Sequence, residues 1–386
     1  MGNMFLFKVK NHKGLFGLSI AILSFSILDA HGHLIENMFT KFKDADLIKR
    51  YGVVLAGGGG KRLWPLSRKK KPKQFISFNE NKTLLENTID RIQTLVSPEA
   101  LWVVTTQEHE LSVKRFGGSF VSYILNEPAS RNTAPAVMLT VLEIYKKDPH
   151  SVIFFVPADH YIPDTSMFIH AMKQAIKHAM AYDDIVLLGV QPYKPASEYG
   201  YIEYGSLLHN NVYNVSKFHE KPQPEIAEKY VQANNMLWNT GIFCAKAEVF
   251  MRECAICAPN LLESLQEYQI GKRSYESLAD QAFDVAILEK TKNCAVVPVN
   301  FKWSDVGNLE QFIMAKHEQN DQTLLVNYKA SNNLVEGTAK LVVLLDVHDL
   351  CVIETEDTLL ISRRNETDQV KNVLEHLKDQ GYDQYI

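Results

Sequence analysis

Seven basic side chains, Lys61, Arg62, Arg68, Lys69, Lys70, Lys71 and Lys73, crowd the residues directly after the glycine run Gly57-Gly58-Gly59-Gly60. The run follows Val53-Val54-Leu55-Ala56, a short apolar segment of the kind that forms a buried strand. Glycines at the end of a strand let the backbone turn with positive φ and bring its N–H groups against a ligand with no Cβ in between. Such N–H groups beside clustered cations suit a phosphate. The whole chain carries a formal net charge of -4, so this positive charge is local. A nucleic-acid partner is not expected.

Two glycine loops can be tested against the stretch. A Gly-Lys-Ser/Thr phosphate loop needs a hydroxyl after the lysine to reach Mg²⁺, and Arg62 follows Gly60-Lys61 here. A dinucleotide loop needs a third glycine where its helix packs on the strand, and Leu63-Trp64-Pro65 occupies that region. Neither fits.

The elements that must position this loop are legible from periodicity. Leu101-Trp102-Val103-Val104, Tyr123-Ile124-Leu125, Val152 to Val156 and Ile185 to Leu188 read as strands. Leu84 to Val96, Ala134 to Tyr145 and Met167 to Met180 have helical spacing. This alternation predicts a mostly parallel, three-layer α/β sheet, in which ligands gather at the carboxyl ends of the strands. Asp159-His160, just past the strand ending at Val156-Pro157, therefore share the sheet edge of the glycine loop. An aspartate there can also be a turn or cap residue.

Beyond the glycine loop, Gly-Gly-x-Gly-x-Arg-Leu-Trp-Pro-Leu-Ser from Gly57 to Ser67, with Pro72-Lys73-Gln74-Phe75, resembles the signature of the sugar-nucleotide pyrophosphorylases. Within them it is most similar to the mannose-1-phosphate guanylyltransferase family. The resemblance covers roughly Tyr51 to Leu377. It implies a Rossmann-like nucleotidyltransferase domain followed by a small β-rich domain built like a short left-handed β-helix. It also implies synthesis of GDP-mannose and pyrophosphate from GTP and mannose 1-phosphate, assisted by Mg²⁺. Arg62 and Lys73 match the catalytic positions. Leu55, Ala56, Gly57, Gly58 and Gly60, with Arg131 and Asn132 of the run Glu127-Pro128-x-x-Arg131-Asn132-Thr133-Ala134-Pro135, match the nucleotide-binding ones. Asp159 in Pro157-Ala158-Asp159-His160 and Asp305 in Trp303-Ser304-Asp305-Val306-Gly307 match the metal-binding aspartates. His160 is read as orienting its neighbour, because Mg²⁺ prefers oxygen ligands.

Gly200, Glu220, Lys221 and Asn239 match the sugar-phosphate half. There Glu198 stands where the family usually has glycine, and it could disturb the loop or point outward. Asp284 and Glu289, in a segment where Val285 replaces the usual tyrosine, read as helix-surface charges.

At 386 residues, 46% hydrophobic and 22% charged, the chain has the composition of a soluble globular protein of two domains. Expected boundaries are 51–318 for the catalytic domain and 319–386 for the β-rich one, which ends in a helix from Asp368 to Leu377. The five scattered cysteines suggest a reducing compartment, and a cytoplasmic location is expected. Cys254-x-x-Cys257 lacks the second pair that a zinc site needs. Residues 1–50 lie outside the resemblance. Lys8, Lys10 and Lys13 before the apolar segment Leu15 to Leu28 resemble a signal peptide, too short for a stable membrane span. An early translation start with folding from near Met38, a membrane-surface anchor and a true signal remain open, and the first is favoured. Many relatives carry a further isomerase domain, which this sequence does not reach, so a single activity is expected. A homodimer through the C-terminal domain is compatible with the resemblance.

Overall fold

The computed structural model describes residues 48–79, 82–318 and 323–386. The expectations for the first residues, including a start near Met38, lie outside them. Nine strands form one sheet: β1 (Arg50–Leu55), β2 (Leu101–Thr106), β3 (Tyr123–Glu127), β4 (Val152–Pro157), β5 (Ile185–Val190), β6 (Tyr201–His209), β7 (Val212–His219), β8 (Met236–Lys246) and β9 (Cys294–Val299). Their spatial order is β3-β2-β1-β4-β8-β5-β9-β7-β6, with β6 also pairing with β8.

Side-chain alternation along the strands builds three layers. Tyr51, Val53, Ile153 and Phe155 pack on one face with α2 (Thr133–Lys147) and α4 (Ala247–Cys257). Val54, Ala56, Phe154 and Val156 pack on the other with α1 (Leu84–Ile92) and α3 (Thr165–Ala181). Local chemistry starts these helices. Thr83 and Glu86 form a reciprocal capping box at α1, and Asp164 Oδ1 accepts from Met167 N at 2.9 Å at α3.

The sheet is more mixed than the alternation of elements predicts. The pairs β1–β2, β1–β4, β2–β3 and β5–β9 are parallel, but β8 runs antiparallel to both of its neighbours β4 and β5. The reversal follows from the β6–β7 hairpin. Asn210 and Asn211 occupy its two-residue turn with φ of 43° and 63°, the left-handed pair that such a turn needs.

After the sheet come β10 (Leu325–Tyr328), β11 (Leu334–Glu336), β12 (Val342–Leu345), β13 (Leu350–Glu354) and β14 (Leu359–Arg363). β10 pairs in parallel with β12 and β11 with β13, while β14 closes antiparallel on β13. The final helix, α5, spans Val370–Asp379. Its buried Val370 and Leu374 share a core with Leu63 and Trp64, the residues that follow the glycine run. Trp64 Nε1 also donates to the Tyr385 carbonyl at 2.6 Å. Among the described residues no helix is long and apolar enough to cross a membrane.

Candidate active site

The glycine loop leaves the end of β1 between two neighbouring strands. Half-buried Leu55 ends β1, and Ala56 N donates to Val104 O at 2.8 Å. The Ala56 carbonyl accepts from Gln74 Nε2 at 2.9 Å and Thr105 Oγ1 at 3.0 Å, which anchors the loop at its root. Gly58 and Gly59 are exposed. Gly60 has φ 60°, and a Cβ there would stand 2.4 Å from Lys73 Cβ, so both conformation and space require glycine. Arg62, exposed in the short 3₁₀ turn Lys61–Leu63, makes no ion pair among the described residues.

Lys73 is 8% exposed, unusual for lysine. Its Nζ lies 2.7 Å from Asp159 Oδ2 and also donates to the Asp305 main-chain carbonyl. The segments carrying the two aspartates are joined where Tyr161 and Ser304 pair as an antiparallel bridge, with N···O distances of 2.9 and 3.1 Å. Tyr199 O–H donates to Asp305 Oδ1 at 2.8 Å. Val306, fully buried, holds φ 51° immediately after Asp305, a strained conformation for a β-branched residue and of the sort found at functional sites.

Burial opposes ionisation of Asp159, but the Lys73 ammonium and His160 override it and hold the carboxyl below its ordinary value. Burial pushes His160 down to about 4, with Asp159 opposing and Lys73 adding to the fall. His160 is therefore neutral. Its Nδ1 accepts from Trp303 Nε1 at 3.2 Å, which leaves the proton on Nε2, 4.0 Å from Asp159 Oδ1. Burial and the Asp305 carboxylate together push the Tyr199 phenol up, so it stays a donor.

Asp159 and Asp305 fit a Mg²⁺ ion by the chemistry of their donors. Each keeps one carboxylate oxygen outside the Lys73 pair or the Tyr199 bond, and Mg²⁺ takes hard oxygen ligands. A Cβ at Gly307 would stand 2.8 Å from Asp305 Oδ2, so glycine preserves that space. Among the described residues no group of three or more His, Cys, Asp or Glu could hold a metal. Water and substrate would have to complete the shell.

The nucleotide-side residues divide. Asn132 has φ 63° and caps α2, its Oδ1 accepting from Thr133 N at 2.9 Å. Arg131 Nη2 donates to the Glu276 carbonyl, so in this structure its head group faces the chain. Sequence reasoning gave no role to Glu127, at the end of β3. It is buried, and its Oε1 accepts from Tyr275 O–H at 2.6 Å. A Cβ at Gly57 would stand 3.5 Å from its Oε2. Burial pushes this carboxyl up to about 7, against the Tyr275 hydrogen bond. The pair Glu127-Pro128 was visible in the same motif, but its burial was not.

On the sugar-phosphate side, Asn239 N donates to Gly200 O at 2.8 Å, and a Cβ at Gly200 would meet Glu220 Oε2 at 2.9 Å. Lys221, exposed with φ 44°, pairs with Glu220 Oε1 at 2.8 Å. Asp284 and Glu289 are not the plain surface charges expected. Asp284 Oδ1 accepts from Asn239 Nδ2 at 2.7 Å, and Glu289 Oε1 accepts from Glu220 N at 3.1 Å. Burial, then the Glu220 carboxylate, raises Asp284 to about 6. The helical segment carrying both folds against the sugar-side loops, which sequence spacing could not show. Glu198 is exposed, and its carboxylate adds a little to the upward push on Tyr199. Gly241 connects the cluster to the aspartate pair: a Cβ there would stand 3.9 Å from His160 Cε1. Cys254 and Cys257 are free thiols on α4.

Known proteins resemble this chain over most of its length. Residues 51–322 match the nucleotidyl transferase family model, and 324–377 match a mannose-phosphate isomerase/GMP-like β-helix domain. A mannose-1-phosphate guanylyltransferase of Escherichia coli O157:H7 is 34% identical over 370 residues, 89% of this chain and 76% of that protein. Its counterpart from strain K12 is 32% identical over 357 residues, 86% of this chain and 74% of that protein. A Thermus thermophilus crystal structure described as a mannose-1-phosphate geranyltransferase superposes with a TM-score of 0.78 at 29% identity, covering 86% of this chain and all of that one. With a nucleotidyl transferase model over most of its length and such relatives over more than two thirds of it, the chain belongs to the nucleotidyltransferases and, within them, to the mannose-1-phosphate guanylyltransferase family.

Proposed function

We propose that this protein joins GTP and mannose 1-phosphate into GDP-mannose and pyrophosphate. A sugar-phosphate oxygen attacks the α-phosphorus in line, a new P–O bond forms, and the bond to the β-phosphate oxygen breaks as pyrophosphate leaves. The second pKa of a phosphate monoester is about 6, so the nucleophile is already largely ionised at neutral pH. No general base is needed, and catalysis rests on positioning and charge stabilisation.

The observation that carries this reading is the joining of Lys73, Asp159 and Asp305 against the Gly60 turn. In it, Lys73 supplies a fixed positive charge near the transferring phosphate and exposed Arg62 binds the departing pyrophosphate through its planar fork. Leu55, Ala56 and the glycines present main-chain groups to the nucleotide, with Arg131 and Asn132 beside its base and sugar. Gly200, Glu220, Lys221 and Asn239 hold the sugar phosphate. Asp159 and Asp305 would hold Mg²⁺, which when bound would neutralise phosphate charge at the reacting centre. Pyrophosphate release should be measured from each nucleoside triphosphate with mannose 1-phosphate and with glucose 1-phosphate. Preference for GTP with mannose 1-phosphate is expected, and preference for another pair would replace the substrate assignment.

The dimer we infer uses the β-rich C-terminal segment. Val326 faces Val343 and Tyr328 faces Leu345 across β10 and β12, all four exposed, with Leu324 and Leu341 also exposed next to these strands. A contiguous apolar band of this kind marks an interaction surface, and a second copy of the chain would cover it with the same band. Light scattering should give a dimer for the native chain and a monomer for Val343→Glu. A monomeric native chain would refute the dimer.

A further inference from the structure

Arg91, on α1, is a buried cation with no counter-ion among the described residues. It is 5% exposed, and its guanidinium lies over the Phe168 ring at 5.5 Å. Its Nη1 reaches Thr88 Oγ1 only at 3.5 Å, and Nε has no acceptor. Asp90, the next residue, is paired with Lys82 at 2.7 Å. Lys73 is also a deeply buried cation, yet it has Asp159 at 2.7 Å. Burial lowers Arg91 to about 10, with Asp90 opposing, so the group is still charged at neutral pH. An unpaired charge held away from water is costly, and a native fold rarely keeps one without a use.

Arg91 lines a cavity of about 280 Å³, whose wall also includes Asn87, His160, Tyr161 and Thr165. That is several times the ~30 Å³ share of a water molecule in the liquid. Pro163 and Thr165 are exposed at its edge, so it communicates with solvent. None of the glycine-loop residues lines it, so it is separate from the nucleotide site.

We propose that this cavity binds a small phosphate-class oxyanion, with Arg91 as its principal ligand and the side chains of Asn87 and Thr165 as further donors. A guanidinium presents parallel N–H groups that match two oxygens of a tetrahedral anion, and the bond is strengthened by the low dielectric around it. His160 lines the same cavity and stands 4.0 Å from Asp159, so an occupant lies one side chain from the catalytic carboxylates. Such an anion could be free orthophosphate or the phosphoryl group of a hexose phosphate entering past Pro163.

Isothermal titration of the full chain with orthophosphate, and separately with a hexose 6-phosphate, tests the site. The measurement is repeated in Arg62→Ala, which weakens anion binding at the glycine loop and leaves Arg91 untouched. In that background, beside any binding at the sugar-phosphate subsite, which Arg91→Met leaves unchanged, we expect a saturable site whose affinity falls at least about tenfold in Arg91→Met, the scale of a lost charge-assisted hydrogen bond. Tighter binding of the hexose 6-phosphate identifies a phosphorylated metabolite as the occupant, and tighter orthophosphate binding identifies the free ion. Because removal of a buried arginine can perturb folding, Thr165→Val combined with Asn87→Leu provides a second measure and should weaken binding several-fold. No saturable binding in either arm, or the same affinity in these variants, would overturn the proposal and leave water as the content of the cavity.

Discussion

The Lys73 ammonium, 2.7 Å from Asp159 Oδ2, also donates to the Asp305 main-chain carbonyl, so one buried side chain ties together two loops that are distant in sequence. Its removal leaves Asp159 without its partner and the reacting phosphate without a preorganised charge. Lys73→Met is expected to lower kcat by about 10²–10³. Lys73→Arg should not restore it, because Lys73 packs against the Gly60 turn and a wider head group would displace the Asp305 loop. Steady-state kinetics check this, and near-native kcat in Lys73→Met would remove the residue from catalysis.

Exposed Arg62 and exposed Lys70 lie in the same basic stretch but should behave differently. Arg62→Ala is expected to lose about 10²–10³ in kcat while the fold is retained, because its charge acts as pyrophosphate departs. Lys70→Ala should have only a small effect that fades with added salt. Turnover of both variants at low and high ionic strength distinguishes a direct contact from long-range attraction.

Glu127 gives the stability of the ligand-free protein a pH dependence of known sign. Its folded value of about 7 lies above the ordinary 4.5, so the folded state holds its proton where the unfolded chain has lost it. Its contribution is fully present below pH 4.5 and is lost as pH rises through 7, amounting to about 3 kcal/mol at ~1.4 kcal/mol per pH unit. Glu127→Gln keeps an acceptor for Tyr275 and removes the titration. Denaturant unfolding at pH 5 and pH 8 should show the variant gaining stability over the native chain at the higher pH. Parallel pH profiles would contradict this.

Activity should depend strictly on a divalent cation, and Asp159→Asn and Asp305→Asn should each lose nearly all of it. Asp305→Asn should change Tm little, because Tyr199 O–H can still donate to the amide oxygen that replaces Oδ1. Assays with and without excess EDTA, beside thermal melts, check both statements. Full turnover in EDTA would remove the metal from the mechanism.

The sequence by itself determined what depends on near neighbours. The glycine run after an apolar strand and the alternation of helices and strands were readable because turn chemistry and periodicity are local, and the ordered motifs from Gly57 to Asp305 were readable through their resemblance to a family. Tertiary structure decided which groups meet and how much water they keep. The β6–β7 hairpin reverses the chain, but that β8 is then inserted between β4 and β5 is decided by pairing across the sheet, which helix and strand periodicity does not encode. Tyr199 is next to Gly200 in sequence, but only the fold brings its hydroxyl to Asp305. Asp284 and Glu289 looked like helix-surface charges until packing turned them onto Asn239 and Glu220. Glu127 and Arg91 are ordinary charged residues in the sequence; their properties arise from burial, and burial is set by the elements that close over them.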